Sequence, residues 1–306
     1  MLKKIKRKIR SLLRIAQGSW EDPSLVLQAR LIMSLSEWRK LPEYTDTFWL
    51  QKKEFRVYSQ FGDDGIIQWL IYFLGIERGR FIEFGVGDFF ESNTHFLLIN
   101  NRFSGFVMDG SIANIDNIKA SPIYWRYQLN AARHFIDKDN IQSLLQESGF
   151  LKIELLHIDL DGNDYWILDS LNLDILDPDI LVLEYNAAFG KDRSITIPYD
   201  PDFYRMNAHF SGRYFGASLN ALNDLAHSKG YYFIGCNSAG NNPYFLPNRF
   251  LSRIPSTNIN DGFQEAGFRE SRDNQGKLAY CDPSEEINQM LGMPVIDTST
   301  DENVEL

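Results

Sequence analysis

Four apolar runs of strand length in this chain of 306 residues each end in residues that could bind a ligand. The segments that follow these runs are Gly85-Val86-Gly87-Asp88, Asp109-Gly110-Ser111, residues 159–164 and Glu184-Tyr185-Asn186. The carboxyl ends of parallel strands lie at one edge of a sheet, and ligands bind outside that edge. We therefore expect the glycines and acids of these segments to line one cleft.

Gly85 and Gly87 form a Gly-x-Gly pair directly after the first run. Glycine lets the backbone approach a ligand closely or turn at positive φ. A dinucleotide fingerprint needs a third glycine three residues after Gly87, where Phe90 stands. The pair therefore favours a nucleoside without phosphates, with a purely structural turn as the alternative.

Acids end the second and third runs. A carboxylate at Asp109 can accept hydrogen bonds from both hydroxyls of a ribose. The simpler alternative is that Asp109 is an exposed acid at the end of a strand. Strand alternation puts Asp159 and Asp161 on the same side, with Asp161 nearer the mouth of the cleft. Asp161 or Asp164 could instead cap the helix that follows.

His209 is the histidine best placed for catalysis. It lies in an irregular segment, residues 187–214, of a length that usually carries function, and we expect substrate contacts there. An imidazole that titrates near neutral pH suits a general base. His157 lies within an apolar run and is interpreted as a packed core residue.

A divalent cation is left open by the sequence. The hard oxygen ligands near the predicted sheet edge, which would suit Mg²⁺, are Asp159, Asp161, Asp164, Glu184 and Asn186. Solvated strand ends and helix caps are commoner than such a site, so the sequence assigns no metal ligand. Zinc motifs and a phosphate loop are absent from the sequence.

Alternating strands and helices must position these residues. The predicted strands are residues 80–86, 105–108, 124–129, 155–160, 180–185 and 231–236, and the predicted helices are residues 93–99, 139–147, 165–171 and 218–229. Near-continuous apolar strands that alternate with helices indicate a parallel sheet covered on both faces. The predicted fold is therefore α/β, with a Rossmann-like, mostly parallel sheet and helices on both faces.

Composition limits the classes of function. With 44% hydrophobic residues the chain can build a core, and a net charge of -10 disfavours a nonspecific grip on nucleic acid. Two cysteines are too few for a disulfide scaffold, and no apolar run is long enough for a membrane span or a secretory signal. We expect a cytoplasmic protein.

The two ends differ in charge from the centre. Residues 1–20 carry seven basic residues and no acid, and residues 257–306 carry eleven acids against three basic residues. On a helix, residues 2–16 would place an apolar stripe opposite the basic face, for contact with the anionic inner membrane leaflet or for ordinary packing on the domain. We predict an N-terminal extension (1–50), an α/β domain (51–255) and an acidic tail (256–306) that is either mobile or packed on the domain.

Several motifs together resemble the FkbM-type branch of class I S-adenosylmethionine-dependent methyltransferases. They are Ser59-Gln60-Phe61-Gly62-Asp63-Asp64, residues 81–88, Ser92-Asn93-Thr94, residues 105–111 and residues 158–165. The resemblance covers residues 59–249. The sequence departs from that family where Asp88-Phe89 replaces Asp-Gly and where Asp109-Gly110 replaces Glu-Pro.

The resemblance implies that S-adenosylmethionine is the cofactor. Its methionine part would lie at the Gly-x-Gly strand, its ribose at Asp109, and its methyl side near Asp161. The implied cofactor-binding residues are Glu83, Gly85, Val86, Gly87, Asp88, Asn93, Asp109, Gly110, Ser111 and Asp159. The candidate catalytic residues are Asp161, His209 and Glu184.

The predicted reaction is O-methylation of a sugar, glycan or polyketide-like acceptor. The alternative is a catalytically inactive methyltransferase-like binding module associated with cell-surface glycan assembly. The expected partner is a small-molecule or glycan acceptor rather than nucleic acid.

Overall fold

The computed structural model describes Asp46 and residues 49–306. Ten strands are described in this part of the chain. They are Arg80–Phe84 (β1), Ser104–Asp109 (β2), Leu129–Arg133 (β3), Leu155–Ile158 (β4), Ile180–Leu183 (β5), Ile195–Thr196 (β6), Tyr231–Cys236 (β7), Pro243–Pro247 (β8), Pro294–Asp297 (β9) and Glu302–Glu305 (β10).

Helices connect these strands. The α-helices are Asp63–Leu74 (α1), Ile112–Ala120 (α2), Pro122–Arg126 (α3), Ile141–Glu147 (α4), Asp164–Ser170 (α5), Arg205–Ala208 (α6), Leu219–Ser228 (α7), Ile259–Gly262 (α8) and Pro283–Met290 (α9). A π-helical turn spans Leu97–Asn101, and 3₁₀ turns span Leu50–Lys53, Leu173–Ile175, Ala187–Phe189 and Asn248–Phe250.

The main sheet has seven strands in the spatial order β3-β2-β1-β4-β5-β8-β7. Strands β1 to β5 pair in parallel, and β8 pairs antiparallel with both β5 and β7. Within this sheet only β8 therefore runs against the other strands. A smaller sheet has the order β10-β9-β6.

Two apolar layers cover the two faces of the main sheet. Alternation along β1 sends Phe81 into one layer and Ile82 and Phe84 into the other. The first layer contains residues of α1, α2 and α3, and the second contains residues of α4, α5 and α7. The predicted Rossmann-like, mostly parallel sheet with helices on both faces is confirmed.

One predicted strand, residues 124–129, is wrong in position. The structure has helix α3 at Pro122–Arg126, and β3 begins only at Leu129. Ser121 precedes Pro122 in an extended conformation, and proline is well suited to the first turn of a helix. The apolar pattern of this short segment buries Ile123 in the core and does not extend the sheet.

Strand β8 was missed because proline stands at both of its ends. Proline usually marks a turn or an edge strand, since it donates no hydrogen bond. Here Pro243 and Pro247 lie at the limits of a buried strand, Tyr244–Leu246 being its fully buried centre.

The C-terminal tail is folded onto the irregular segment. Helix α9 begins with a capping box between Asp282 and Glu285, and β9 pairs with β6. Met290 and Val295 pack with Ile195 and Ile197 in a third apolar cluster. Of the two expectations for the tail, packing on the domain is what the structure has, and the predicted domain boundaries stay predictions.

The predicted basic helix of residues 2–16 lies outside the described residues. In the described part of the chain, no helix combines the length and the apolar character needed to cross a membrane. Cys236 and Cys281 are both buried and unpaired with each other.

Candidate ligand-binding and catalytic site

The order of the strands opens a crevice at the carboxyl ends of β1 and β4. After β1 the chain continues to β2 on one side, and after β3 it crosses to β4 on the other side of β1. Ligands bind at such points of reversal in open α/β sheets. A cavity of about 170 Å³ lies there, lined by Gln60, Glu83, Gly85, Val86, Glu91, Ser92, Asn93, His157, Asp159, Asn241 and Asn242.

Glu83 and His157, which line this cavity, form a buried ion pair. They occupy paired positions of β1 and β4, and His157 Nδ1 lies 2.9 Å from Glu83 Oε1. Both side chains are 3% exposed. Burial alone would raise the pKa of Glu83 and lower that of His157, but their mutual attraction and hydrogen bonds reverse both shifts, so the pKa of Glu83 is lowered and that of His157 is raised.

Glu83 also orders the segment that follows β1. Its carboxylate accepts hydrogen bonds from the hydroxyls of Ser92 (2.6 Å) and Thr94 and from the Asn93 backbone N–H (3.2 Å). The Asn93 amide lies 3.3 Å from His157 Nε2. Glu83 therefore acts as a positioning residue that holds the wall of the cavity, with Asn93 at the surface of that wall.

Sequence reasoning placed His157 in the core, and it is buried. It missed the pairing of His157 with Glu83. The signal was present in the register of two neighbouring strands, since each has one polar residue within an apolar run.

Gly85 and Gly87 serve different needs. Both have positive φ, 70° and 56°. A Cβ on Gly85 would lie 1.7 Å from the Asp159 carbonyl oxygen, so glycine is required there for close packing of β1 on β4. A Cβ on Gly87 would meet nothing within 4 Å, which leaves the space beside it open to a ligand.

Asp109 lies at the end of β2, across the glycine loop. One carboxylate oxygen accepts the Gly87 N–H at 3.0 Å, and the other accepts the Ser111 N–H at 2.7 Å and the Asn114 amide at 3.0 Å. The carboxylate is therefore fixed next to the open side of Gly87. Ser111 is the N-cap of α2, and Gly110 lies beside the exposed ring of Phe135.

Val86 and Asp88 complete the loop after β1. Val86 is 5% exposed, and its backbone carbonyl accepts the Phe89 N–H at 2.9 Å. The Asp88 carboxylate accepts the Phe90 N–H at 3.1 Å. Phe89 takes the left-handed conformation, φ 62°, at the position where the departure from the family pattern removes a glycine.

Asp159, Asp164 and Glu184 lie together beyond β4 and β5. Carboxylate oxygens of the three residues all lie within 4.8 Å of one another. Burial raises the pKa of Asp159 to about 6, and burial with repulsion from Asp159 raises the pKa of Asp164 to about 7. Burial and repulsion from the other acids raise the pKa of Glu184 well above its usual value.

Asp161 faces the irregular segment. It takes the left-handed conformation, φ 56°, and its carboxylate lies 3.1 Å from Arg205 Nη1. Arg205 also lies 3.4 Å from Glu270. Sequence reasoning missed Arg205, which could have been suspected as a cation within a segment expected to meet an acidic sheet edge.

His209 ends helix α6, one turn after Arg205. Its Nδ1 lies 2.8 Å from the Ser211 hydroxyl, and partial burial lowers its pKa. The structure thus places His209 in the same short helical segment as the cation that contacts Asp161. The predicted catalytic roles of Asp161, His209 and Glu184 stay predictions.

This chain is similar to known proteins in structure only. No protein-family model matches the chain, and no curated protein matches it. Among solved structures, an S-adenosylmethionine-dependent methyltransferase from Clostridium acetobutylicum is similar with a TM-score of 0.40 at 10% identity, over 60% of this chain and 90% of that chain.

Two further solved structures contain the cofactor product. TrmK of M. capricolum, in complex with S-adenosyl-homocysteine, has a TM-score of 0.34 at 12% identity, over 58% of this chain and 65% of that chain. PKMT2 from Rickettsia typhi, in complex with AdoHcy, has a TM-score of 0.38 at 12% identity, over 59% of this chain and 52% of that chain. The match therefore spans less than two thirds of the length of both of these proteins.

Proposed function

We propose that this chain is an S-adenosylmethionine-dependent methyltransferase that methylates an oxygen of a sugar, glycan or polyketide-like acceptor. The observation that supports it best is the arrangement at the reversal point of the sheet. A polar cavity lies at the carboxyl ends of β1 and β4. Next to it is Gly87, which has a left-handed backbone conformation and open space where a side chain would begin. The carboxylate of Asp109 is held beside Gly87 by a hydrogen bond.

These residues fit the parts of the cofactor. The amides of Asn93, Asn241 and Asn242 line a cavity of about 170 Å³, which suits the amino and carboxylate groups of methionine. That volume is below the roughly 300 Å³ at which ligand pockets begin. The nucleoside would therefore lie outside the cavity, over Gly87, with its ribose hydroxyls at Asp109.

The motifs that resemble the FkbM-type branch have a shared structural role, which supports membership in that branch. Ser92, Asn93 and Thr94 all bond to Glu83, and Asp64 accepts the backbone N–H groups of residues 57–59. The first set builds the cavity wall, and the second fixes the start of α1. A cytoplasmic location, with contact of residues 2–16 to an anionic membrane surface, is part of the same proposal.

When bound, the cofactor supplies a methyl group on a sulfonium that an acceptor oxygen displaces in line. The chain must then hold the acceptor and receive its proton. His209 suits the second task, because its lowered pKa keeps the ring neutral and able to take a proton at neutral pH. Arg205 and Asp161 suit the first, as a hydrogen-bonding pair beside the cleft.

Binding of S-adenosylhomocysteine, measured by calorimetry on the full chain, tests the cofactor. We expect saturable binding, and its absence at millimolar ligand would refute the proposal. Mass spectrometry of candidate acceptors with S-adenosylmethionine tests turnover. Binding without any methylated product favours the alternative, an inactive binding module that has kept the cofactor site.

Asp109→Ala should weaken S-adenosylhomocysteine binding about tenfold to a hundredfold. A hydrogen bond to a charged acceptor contributes about 1.5–3 kcal/mol, which corresponds to that range. Because Asp109 also accepts the Gly87 and Ser111 N–H groups, Asp109→Asn is the matched control, since it keeps one acceptor oxygen. An affinity of Asp109→Ala within twofold of wild type would exclude a ribose contact.

His209→Asn should lower turnover by about a hundredfold while S-adenosylhomocysteine affinity stays constant. Asp161→Asn should instead act mainly on the KM of the acceptor, because its carboxylate is held by Arg205. Steady-state kinetics on an acceptor found by mass spectrometry would separate the two. If His209→Asn keeps turnover within threefold, the base is Asp161 or Glu184.

A further inference from the structure

Three carboxylates converge between the ends of β4 and β5 more closely than isolated anions would. The oxygens of Asp159, Asp164 and Glu184 lie within 4.8 Å of one another, and two of the side chains are buried. Like charges at this distance inside a protein repel strongly. Either protons or a cation must offset that repulsion.

Glu184 carries the observation that points to a ligand. Glu184 is 8% exposed. Its Oε2 has no hydrogen-bond partner in the described part of the chain. The Glu184 carboxyl group is also within hydrogen-bonding reach of Asp159, which leaves Oε2 as its unmatched atom. Buried polar atoms are nearly always satisfied, so this oxygen points to a partner that the described residues do not supply.

The nearby cation fills this role only in part, because Arg205 attracts Glu184 and Asp159 from a distance and its ion-pair contacts are with other acids. Arg205 is held by Asp161 at 3.1 Å and by Glu270 at 3.4 Å, both of which lie outside the cluster. The Asn186 side chain, considered from the sequence as a ligand, is committed elsewhere: its Oδ1 accepts the Ala188 N–H at 3.1 Å, and its NH2 donates to the carbonyls of Arg213 and Phe215. The candidate ligand set is thereby reduced to three acids.

We propose that Asp159, Asp164 and Glu184 bind a divalent cation that prefers oxygen ligands, Mg²⁺ or Mn²⁺. The backbone holds the Asp164 carboxylate in place, because its two oxygens accept the N–H groups of Leu160 (2.8 Å) and Gly162 (3.1 Å). Each oxygen keeps a further lone pair that can bind a cation. Carboxylate oxygens are the ligands that such ions prefer, and Mg²⁺ usually keeps water or substrate oxygens at its remaining positions.

Access to the cation comes from the cleft. Asp159 is only half-buried and lines the cavity, whereas Asp164 and Glu184 lie behind it. Three protein ligands leave coordination positions on the cleft side, where two neighbouring oxygens of one molecule can bind together. On the basis of the proposed function, this defines the acceptor class as a compound with a chelating pair of oxygens, such as a vicinal diol.

The test uses the full chain, freed of metal with EDTA, and Mn²⁺ as the probe. The electron paramagnetic resonance signal of free Mn²⁺ reports binding without cofactor or acceptor. We expect one Mn²⁺ per chain with a dissociation constant below about 1 mM, displaced by Mg²⁺. Glu184→Gln should weaken binding at least tenfold, while Asp169→Asn, an exposed acid on α5, should bind like wild type.

Thermal unfolding shows whether the Glu184→Gln variant is still folded. In EDTA, Glu184→Gln should melt close to the wild-type temperature, because glutamine has nearly the same shape as glutamic acid and adds no charge to the cluster. It should also lose the rise in melting temperature that Mn²⁺ gives the wild type. The proposal is overturned if the wild type binds no Mn²⁺ below about 1 mM or if Glu184→Gln binds it equally well, which would mean that protons alone balance the cluster.

The same preparation is titrated with S-adenosylhomocysteine. Mn²⁺ binding without nucleoside binding refutes the proposed methyltransferase and leaves the cation site. Nucleoside binding without Mn²⁺ binding refutes the cation site and leaves the proposed methyltransferase.

Discussion

Gly87→Val should lower the affinity for S-adenosylhomocysteine by more than about a hundredfold, or about 2.7 kcal/mol. The glycine has φ 56° and open space where a side chain would begin, between the cavity and Asp109. A valine side chain would occupy the space that we assign to the nucleoside. The fold should survive, since no atom beyond the two neighbouring residues lies within 4 Å of the added Cβ.

Gly75→Val is the matched control. Gly75 also has positive φ, 75°, and also has nothing within 4 Å of an added Cβ, but it ends helix α1 away from the cleft. Both variants bear the same kind of backbone strain, about 1–2 kcal/mol in a left-handed conformation. Calorimetry should show normal binding for Gly75→Val. Equal losses in the two variants would mean that Gly87 is needed only for the turn.

His157→Leu should lower the free energy of unfolding by about 3–5 kcal/mol, because it leaves the Glu83 carboxylate buried without its counter-charge. Leucine fills much of the imidazole volume, so the loss reports the ion pair more than a cavity. Urea unfolding followed by circular dichroism measures the change.

The double variant Glu83→Gln with His157→Leu is the control for this loss. It removes both charges, so it should be more stable than His157→Leu alone, with a coupling energy of about 1–3 kcal/mol between the two sites. A loss below about 1 kcal/mol in His157→Leu would mean that the pair contributes little.

The sequence predicted the elements whose patterns are local. Near-continuous apolar runs located β1, β2, β4, β5 and β7, and the parallel arrangement followed from the helices between them. The short β3 and the proline-bounded β8 were misplaced or missed, because their strand character depends on the neighbours they pair with. Pairing partners are set by tertiary packing, which periodicity does not report.

The candidate site was predicted in part for the same reason. Polar residues at strand ends could be located one strand at a time, and the structure has Gly87, Asp109 and Asp159 at the ends of β1, β2 and β4. The pairing of Glu83 with His157 and of Asp161 with Arg205 joins residues 74 and 44 positions apart. Such contacts require knowledge of strand order and of where the irregular segment folds back.

The contact between the tail and the irregular segment has a consequence for the order in which the protein matures during synthesis. The seven-stranded sheet is complete once β8 has left the ribosome, but the smaller sheet needs β9 and β10. The buried pair of Arg213 with Glu286, 3.1 Å apart, also joins the segment to α9. A nascent chain can therefore hold its finished sheet before residues 283–305, which pack on the segment that carries Arg205 and His209, have emerged.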